Sequence, residues 1–360
     1  MESSILKTFK NKKVIVTGNS GFKGSWLCQW LLLLEAKVIG ISLNTPTTPS
    51  HFKLLKHKNT FKNYNCDVTN TKKLLEIFQD ETPDFVFHLA AQSLVKKSIS
   101  NPLETFLTNS LGTVSVLDVL RIHNKKVTCV MITSDKVYKN VEWLWGYKES
   151  DEIGGYDPYS ASKGMAELAL NSYIKTFFKG QNHIRIGIAR AGNVIGGGDW
   201  APNRLVPDTV KSWSINKRLL IRQPHSTRPW QHVLDPLFGY MKLAINLFKN
   251  KSFHGEAYNF GPFFDQNVTV IELIKLLSNK WGKGKWIVEK DKINLKEANL
   301  LKLNSEKAFH KLNWKPVLQF EKAINFTAEW YLQYYFGNKK DIYKITNKQI
   351  NEYMRMNEEI

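Results

Sequence analysis

The segment Lys13-Val14-Ile15-Val16-Thr17 runs straight into Gly18-Asn19-Ser20-Gly21-Phe22-Lys23-Gly24. The first part is a short β-branched run, the pattern of a buried strand. The second carries glycine at every third position. Ser25 to Leu31 then reads as the opening of a helix, and Lys37 to Ser42 as a second strand. Strand, glycine turn, helix and strand form a βαβ unit, the building block of an α/β chain with a parallel sheet. Gly18 suits a tight turn, Gly21 a close approach to pyrophosphate, and Gly24 close packing of helix on strand. The free amides at the helix N-terminus favour phosphate. A dinucleotide site is the reading this placement supports.

The second strand ends in Ile41-Ser42-Leu43-Asn44. An acid there would bond the ribose 2′-hydroxyl of NAD, and an arginine would hold the 2′-phosphate of NADP. Neither is present, so local chemistry leaves both cofactors open. Asn65-Cys66-Asp67-Val68 lies between a polar strand and a helical segment. Asp67 has two readings of equal standing: acceptor for an adenine amino group, or N-cap of the helix beginning near Thr71. Asp84-Phe85-Val86-Phe87-His88-Leu89-Ala90-Ala91 reads as a further buried strand. Its small end lets a cofactor pass close to the backbone. His88 reads as a structural histidine, because no partner is spaced for metal.

At 360 residues and 42% hydrophobic composition, the chain is an ordinary globular protein. It has room for about two domains at ~150 residues each. Cys28, Cys66 and Cys129 cannot all pair within the chain and lack CxxC spacing. That points to a reducing compartment and away from a structural zinc site. Met1 to Lys13 has no apolar core of signal-peptide length. The longest apolar stretch, Trp26 to Leu34, is interrupted by Gln29 and falls short of the ~20 residues that span a bilayer. A cytoplasmic protein without membrane contact is expected. The net charge of +19 admits nucleic acid, an anionic surface or an anionic substrate. Lysine is spread throughout, and no nucleic-acid-binding motif is visible, so nucleic acid is not the expected partner. A small molecule bearing pyrophosphate suits the same field.

Lys126 to Ile132 reads as the next strand, and it ends in Thr133-Ser134-Asp135-Lys136. Ligands of open α/β sheets bind beyond the carboxyl ends of strands, so two hydroxyls, a carboxylate and an ammonium would face one. A turn with an aspartate cap accounts for the same four residues. Asp157-Pro158-Tyr159-Ser160-Ala161-Ser162-Lys163 places Tyr159 and Lys163 four apart, on one helix face. The ammonium is expected to favour the phenolate, drawing it down from about 10. Tyr159 would then be a general base for an alcohol that loses hydride.

Further strings complete the pattern. They include Trp143-Leu144-Trp145-Gly146-Tyr147, Gly154-Gly155-Tyr156, Ala191-Gly192-Asn193-Val194-Ile195-Gly196-Gly197-Gly198-Asp199-Trp200 and Arg228-Pro229-Trp230-Gln231-His232-Val233-Leu234. From about residue 12 to about residue 262 the chain resembles the extended short-chain dehydrogenase/reductase superfamily. Within it, the chain is most similar to the CDP-glucose 4,6-dehydratases. The resemblance implies a Rossmann fold: a doubly wound parallel α/β sheet with a smaller, partly helical C-terminal substrate domain. Residues 1–190 would bind NAD. Residues 191–335 would form mainly the substrate domain, with crossings back to the first, and 336–360 a docked tail.

The resemblance also implies NAD as a recycled cofactor, a nucleotide-sugar substrate and a homodimer or homotetramer. The implied reaction turns CDP-glucose into CDP-4-keto-6-deoxyglucose plus water, a step in deoxysugar and surface-polysaccharide biosynthesis. A 4-epimerase, or a dehydratase of another nucleotide sugar, is the alternative. Site residues carry over one by one. Tyr159 and Lys163 start the oxidation, Thr133 and Ser134 bond O4, Asp135 is the acid at C6, and Lys136 is the base at C5. The cofactor would lie on Gly18, Ser20, Gly21, Phe22, Lys23, Gly24, Asp67, Val68, Ala90, Tyr159 and Lys163. Asn193, Arg204 and Arg228 fall on substrate segments, Arg228 as a pyrophosphate ligand. His232 reads as structural, and Gly196 to Gly198 as a flexible loop or a lid. Asn44, Val137 and Ala161 depart from the family pattern, and the likeness thins beyond Gly261.

Overall fold

The computed structural model describes residues 4–263, 266, 268–282, 284–288 and 300–358. Six strands arise in chain order: β1 Lys13–Thr17, β2 Lys37–Ser42, β3 Lys62–Asn65, β4 Phe85–His88, β5 Val127–Ile132 and β6 Ile184–Ala191. Together with Ala257–Phe260 they form a seven-stranded sheet in which every neighbouring pair is parallel. The spatial order is Ala257–Phe260, β6, β5, β4, β1, β2, β3. This is the doubly wound α/β fold expected from the sequence. Strand order reverses between β1 and β4, so a crevice opens at their carboxyl ends.

Strand alternation divides the core. Val14 and Val16 of β1 face the helices Phe22–Leu33 and Leu234–Lys249. Ile15 faces the layer of Thr71–Glu81 and Gly112–His123. The same alternation in β5 sends Val130 and Ile132 to the first side and Cys129 and Met131 to the second. Both faces of the sheet are thus covered, as parallel strands require. All three cysteines are buried and unpaired.

The helix that follows β1 begins at Phe22, one turn before the apolar run at Ser25 suggests. From Gly24 to Leu31 it is buried along its whole circumference. One side meets the sheet. Trp30 meets Phe238 and, edge-on, Tyr353 of the C-terminal helix Ile342–Glu358. Ile350 and Tyr353 are fully buried, which docks that helix on the body. No helix among the described residues is long and apolar enough to cross a membrane.

Candidate active site

One cavity of about 1560 Å³ runs over the carboxyl ends of β1, β4, β5 and β6. Its lining includes the glycine turn, Asp67 and Val68, Ala90, the 133–136 tip, Tyr159 and Lys163, and Asn193, Arg204 and Arg228. Residues singled out on distant stretches of sequence therefore share one space.

At the cofactor-sized end, main-chain geometry does the shaping. Gly18 has φ +71, and a Cβ there would lie 2.8 Å from the Ala90 Cα. A Cβ on Gly24 would lie 2.2 Å from the Gly18 carbonyl oxygen. The Ser25 amide makes the first helical bond, to Gly21 O at 2.9 Å. Gly21 caps the helix without a side chain, and its first turn carries no acid. The amides of Phe22, Lys23 and Gly24 thus lie in the open first turn, a cradle for phosphate. Ser20 Oγ donates to Asn44 O at 3.2 Å, tying the turn to the end of β2. These features fit a dinucleotide.

The helix N-cap downstream of β3 is Asn70, whose side chain accepts from Lys73 N. Asp67 instead closes a tight turn, with Oδ1 accepting from the amide and hydroxyl of Thr69 at 2.8 and 2.7 Å. The N-cap reading of Asp67 is therefore replaced, because that role lies three residues on. His88 bonds the Thr17 and Thr113 hydroxyls, and burial pushes it down to about 3, a structural neutral histidine.

At the other end, buried polar side chains do the shaping. Pro158–Tyr173 is a helix whose N-cap, Asp157, accepts from Ser160 N at 3.0 Å. Tyr159 and Lys163 share its inward face and are 8% and 6% exposed. The spacing is as expected, but the electrostatics differ. Burial pushes Tyr159 up to about 12, although the neighbouring Ser134 hydroxyl favours the phenolate. Burial also pushes Lys163 down to about 8, and its ammonium bonds Ile132 O at 3.4 Å. In the protein alone, loss of solvent dominates both groups.

Asp135 is 3% exposed, and burial raises its carboxyl above the ordinary range against the pull of Lys136. Oδ1 accepts from Ser134 Oγ at 2.9 Å. Oδ2 is buried without a hydrogen-bond partner among the described residues. Lys136 is half-buried, and its ammonium makes no hydrogen bond among them. The expectation for Thr133 needs amendment: its hydroxyl donates to Glu167 Oε1 at 2.6 Å, so only lone pairs remain for a ligand.

Arg204 forks between Asp199 Oδ2 at 2.8 Å and Ser93 Oγ at 3.0 Å. Asn193 binds Gln231 N through its carbonyl, and Arg228 Nη1 donates to Thr227 O. His232 is fully buried, accepting from Leu234 N and packed against Trp26 and Phe326. The glycine run at 196–198 is clamped rather than flexible. Trp26 Nε1 bonds Gly197 O at 2.9 Å, and a Cβ on Gly197 would overlap Trp330. Glu167, Arg190 and Asp199 were not anticipated. For Glu167 the available signal was its place four residues beyond Lys163.

Known proteins resemble this chain over nearly its whole length. CDP-glucose 4,6-dehydratase of Salmonella typhimurium is 39% identical over 96% of this chain and 97% of that protein. Human dTDP-D-glucose 4,6-dehydratase is 27% identical over 92% and 93%. The dTDP-glucose 4,6-dehydratase of Streptomyces venezuelae, solved with NAD and TYD bound, superposes with a TM-score of 0.77 at 22% identity, covering 89% and 97%. A UDP-glucose 4-epimerase from Thermotoga maritima shares the fold, with a TM-score of 0.75 at 21% identity, covering 89% and 99%. The GDP-mannose 4,6 dehydratase family matches residues 15–327, from β1 to the helix beyond the substrate segments, and the chain belongs to that family.

Proposed function

We propose that the chain is an NAD-dependent 4,6-dehydratase that converts CDP-glucose to CDP-4-keto-6-deoxyglucose and water. The observation that carries this reading is Asp135, buried beside the Tyr159 end of the cavity with a free Oδ2. An epimerase has no use for an acid there, whereas removal of a C6 hydroxyl requires one. The 39% identity to a CDP-glucose 4,6-dehydratase supports the nucleotide.

NAD would lie on the glycine turn, Phe22, Lys23, Asp67, Val68 and Ala90, and when bound it would take the hydride that C4 loses and give it back at C6, so that the conversion is redox-neutral. Tyr159 takes the proton of the hexose O4, with Ser134 orienting that oxygen and Lys163 one helical turn along from the phenolate. The C4 carbonyl then acidifies C5, and Lys136 takes the C5 proton. Asp135, whose burial favours the protonated carboxyl, gives its proton to the departing C6 oxygen, which leaves as water. The proton held by Lys136 returns to C5, and that of Tyr159 recharges Asp135. Arg228 and Arg204 suit the pyrophosphate, and Asn193 the sugar side.

In this reading residues 1–190 carry the cofactor, 191–335 mainly the substrate side, and 336–360 a supporting tail. We place the enzyme in the cytoplasm, in deoxysugar biosynthesis. It acts as a dimer or tetramer, consistent with the exposed Leu103, Leu107, Leu111 and Leu168 on neighbouring helices. The test is mass analysis of products from CDP-, dTDP-, UDP- and GDP-linked hexoses incubated with the protein and NAD. Loss of one water from the CDP substrate, without net NADH, supports the proposal. A retained C6 hydroxyl selects epimerisation, and water loss only from another nucleotide sugar overturns the cytidine assignment.

A further inference from the structure

Tyr159, Lys163 and Glu167 follow one another at four-residue intervals along the helix Pro158–Tyr173, and so form one row. The third member is a fully buried carboxylate whose partner, Arg190 of β6, is 2% exposed. Both carboxylate oxygens are engaged. Oε1 accepts from Arg190 Nε at 2.8 Å and from Thr133 Oγ1 at 2.6 Å, and Oε2 pairs with Arg190 Nη2. The guanidinium is held in turn. Its Nη1 donates to Tyr138 OH at 2.7 Å and to Glu149 O at 3.2 Å, and Tyr138 OH donates to Asn259 Oδ1 at 2.7 Å. A buried ion pair is a weak source of stability, because desolvation offsets its attraction. Its position directly behind the 133–136 tip calls for another reason.

We propose that Glu167, locked in place by Arg190, is a positioning residue for catalysis: it fixes the Thr133 hydroxyl and keeps the Lys163 ammonium charged beside Tyr159. This rests on the proton-transfer reading given above.

The surroundings of the row make the effect specific. Burial draws Lys163 toward neutrality, to about 8, and Glu167 is the charge that opposes it. Lys23, on the helix Phe22–Leu33, and His88, at the end of β4, also feel Lys163, and His88 is neutral. Tyr159 faces Ser134 and Asp135 from the β5 tip, Arg204 from across the cavity and Asp157 from its own helix. Tyr240 faces both Tyr159 and Asp135. Lys136 adjoins Asp135. None of these groups is substituted in the test, so a displaced titration belongs to the Glu167–Arg190 pair.

The sign is determined. Neutralising Glu167 lowers the Lys163 pKa, the amine loses its charge near neutral pH, and the phenolate loses its support. The acid limb of kcat therefore moves to higher pH. The test uses the full chain carrying Glu167→Gln with Arg190→Met, which removes both charges and leaves neither orphaned. Two readouts are taken: the pH profile of kcat, and competitive labelling of Lys163 in the cofactor-free protein, read by mass spectrometry. The expected result is an acid limb displaced upward, and a labelling midpoint displaced downward, by about one pH unit each. A folded double variant with both unchanged overturns the proposal and leaves the pair merely structural. Should it not fold, Glu167→Asp, which draws the charge back, must still lower the labelling midpoint, and an unmoved midpoint overturns the proposal equally. Absence of dehydration by the unaltered protein would sink the functional reading instead, while the labelling still decides this one.

Discussion

The two ends of the cavity are built by different means. Around Gly18 and Gly24 the walls are main chain, with backbone atoms of Ala90 and Gly18 where side chains would otherwise stand. Around Asp135, Tyr159 and Lys163 the walls are buried polar side chains whose charge states depend on one another. Steric walls respond to volume and are indifferent to pH. Electrostatic walls tolerate changes of shape but respond to every added or removed proton. One end is therefore suited to holding a cofactor in place, and the other to moving protons.

Perturbations that separate these behaviours put the contrast at risk. The largest effect is expected from Tyr159→Phe, which removes the phenolic base at constant shape. Turnover should fall by about a thousandfold, while NAD affinity, held mainly at the glycine turn, weakens by no more than about fivefold. Comparable loss of NAD affinity in that variant would erase the distinction between the ends. Next comes Gly24→Ala, whose methyl would lie 2.2 Å from a carbonyl oxygen. NAD binding, followed by calorimetry, should weaken by about a hundredfold at every pH. A pH-dependent loss would contradict the steric account.

Asp135→Asn should reduce water loss by a similar factor, about a hundredfold, while C4 oxidation survives as a transient NADH absorbance in single turnover. Loss of both steps together would show that Asp135 serves the first step as well. A smaller effect is expected from Asp67→Ala. Its free oxygen leaves one hydrogen bond at stake, so NAD should bind about fivefold more weakly, ~1 kcal/mol.

The smallest effect lies outside the cavity. Asp235 is fully buried and accepts from Val317 N and Tyr353 OH, and burial pushes it up to about 7. A carboxyl raised on folding stabilises below its unfolded pKa, and that stability is lost as pH rises through the folded value. Asp235→Asn keeps the acceptor and removes the titration. Its thermal midpoint should hold between pH 5 and pH 8, where that of the unaltered protein declines by a few degrees. An identical decline in both proteins would remove Asp235 from the account.

Legibility in the sequence followed the same division. The glycine turn and the Tyr159/Lys163 spacing are local, and local geometry is written in adjacent residues. The β-branched run at Val14, Ile15 and Val16 likewise located a buried strand. The burial of Tyr159 was not legible because its solvent is removed by elements far along the chain. Glu167 and Arg190 meet only because β6 lies beside β5, a pairing that no spacing encodes. The Asp67 cap was displaced by Asn70 because two capable residues stand three apart, and only the backbone path decides between them.

The returning strand Ala257–Phe260 has a consequence for synthesis. It covers the outer edge of β6, yet it is translated only after the intervening residues 192–256. Until it emerges from the ribosome, β6 exposes a row of unpaired amides and carbonyls to any passing strand. A stop or truncation between Ala191 and Ala257 should therefore yield an aggregating fragment rather than a working cofactor module, and this enzyme cannot be assembled from halves separated at that point.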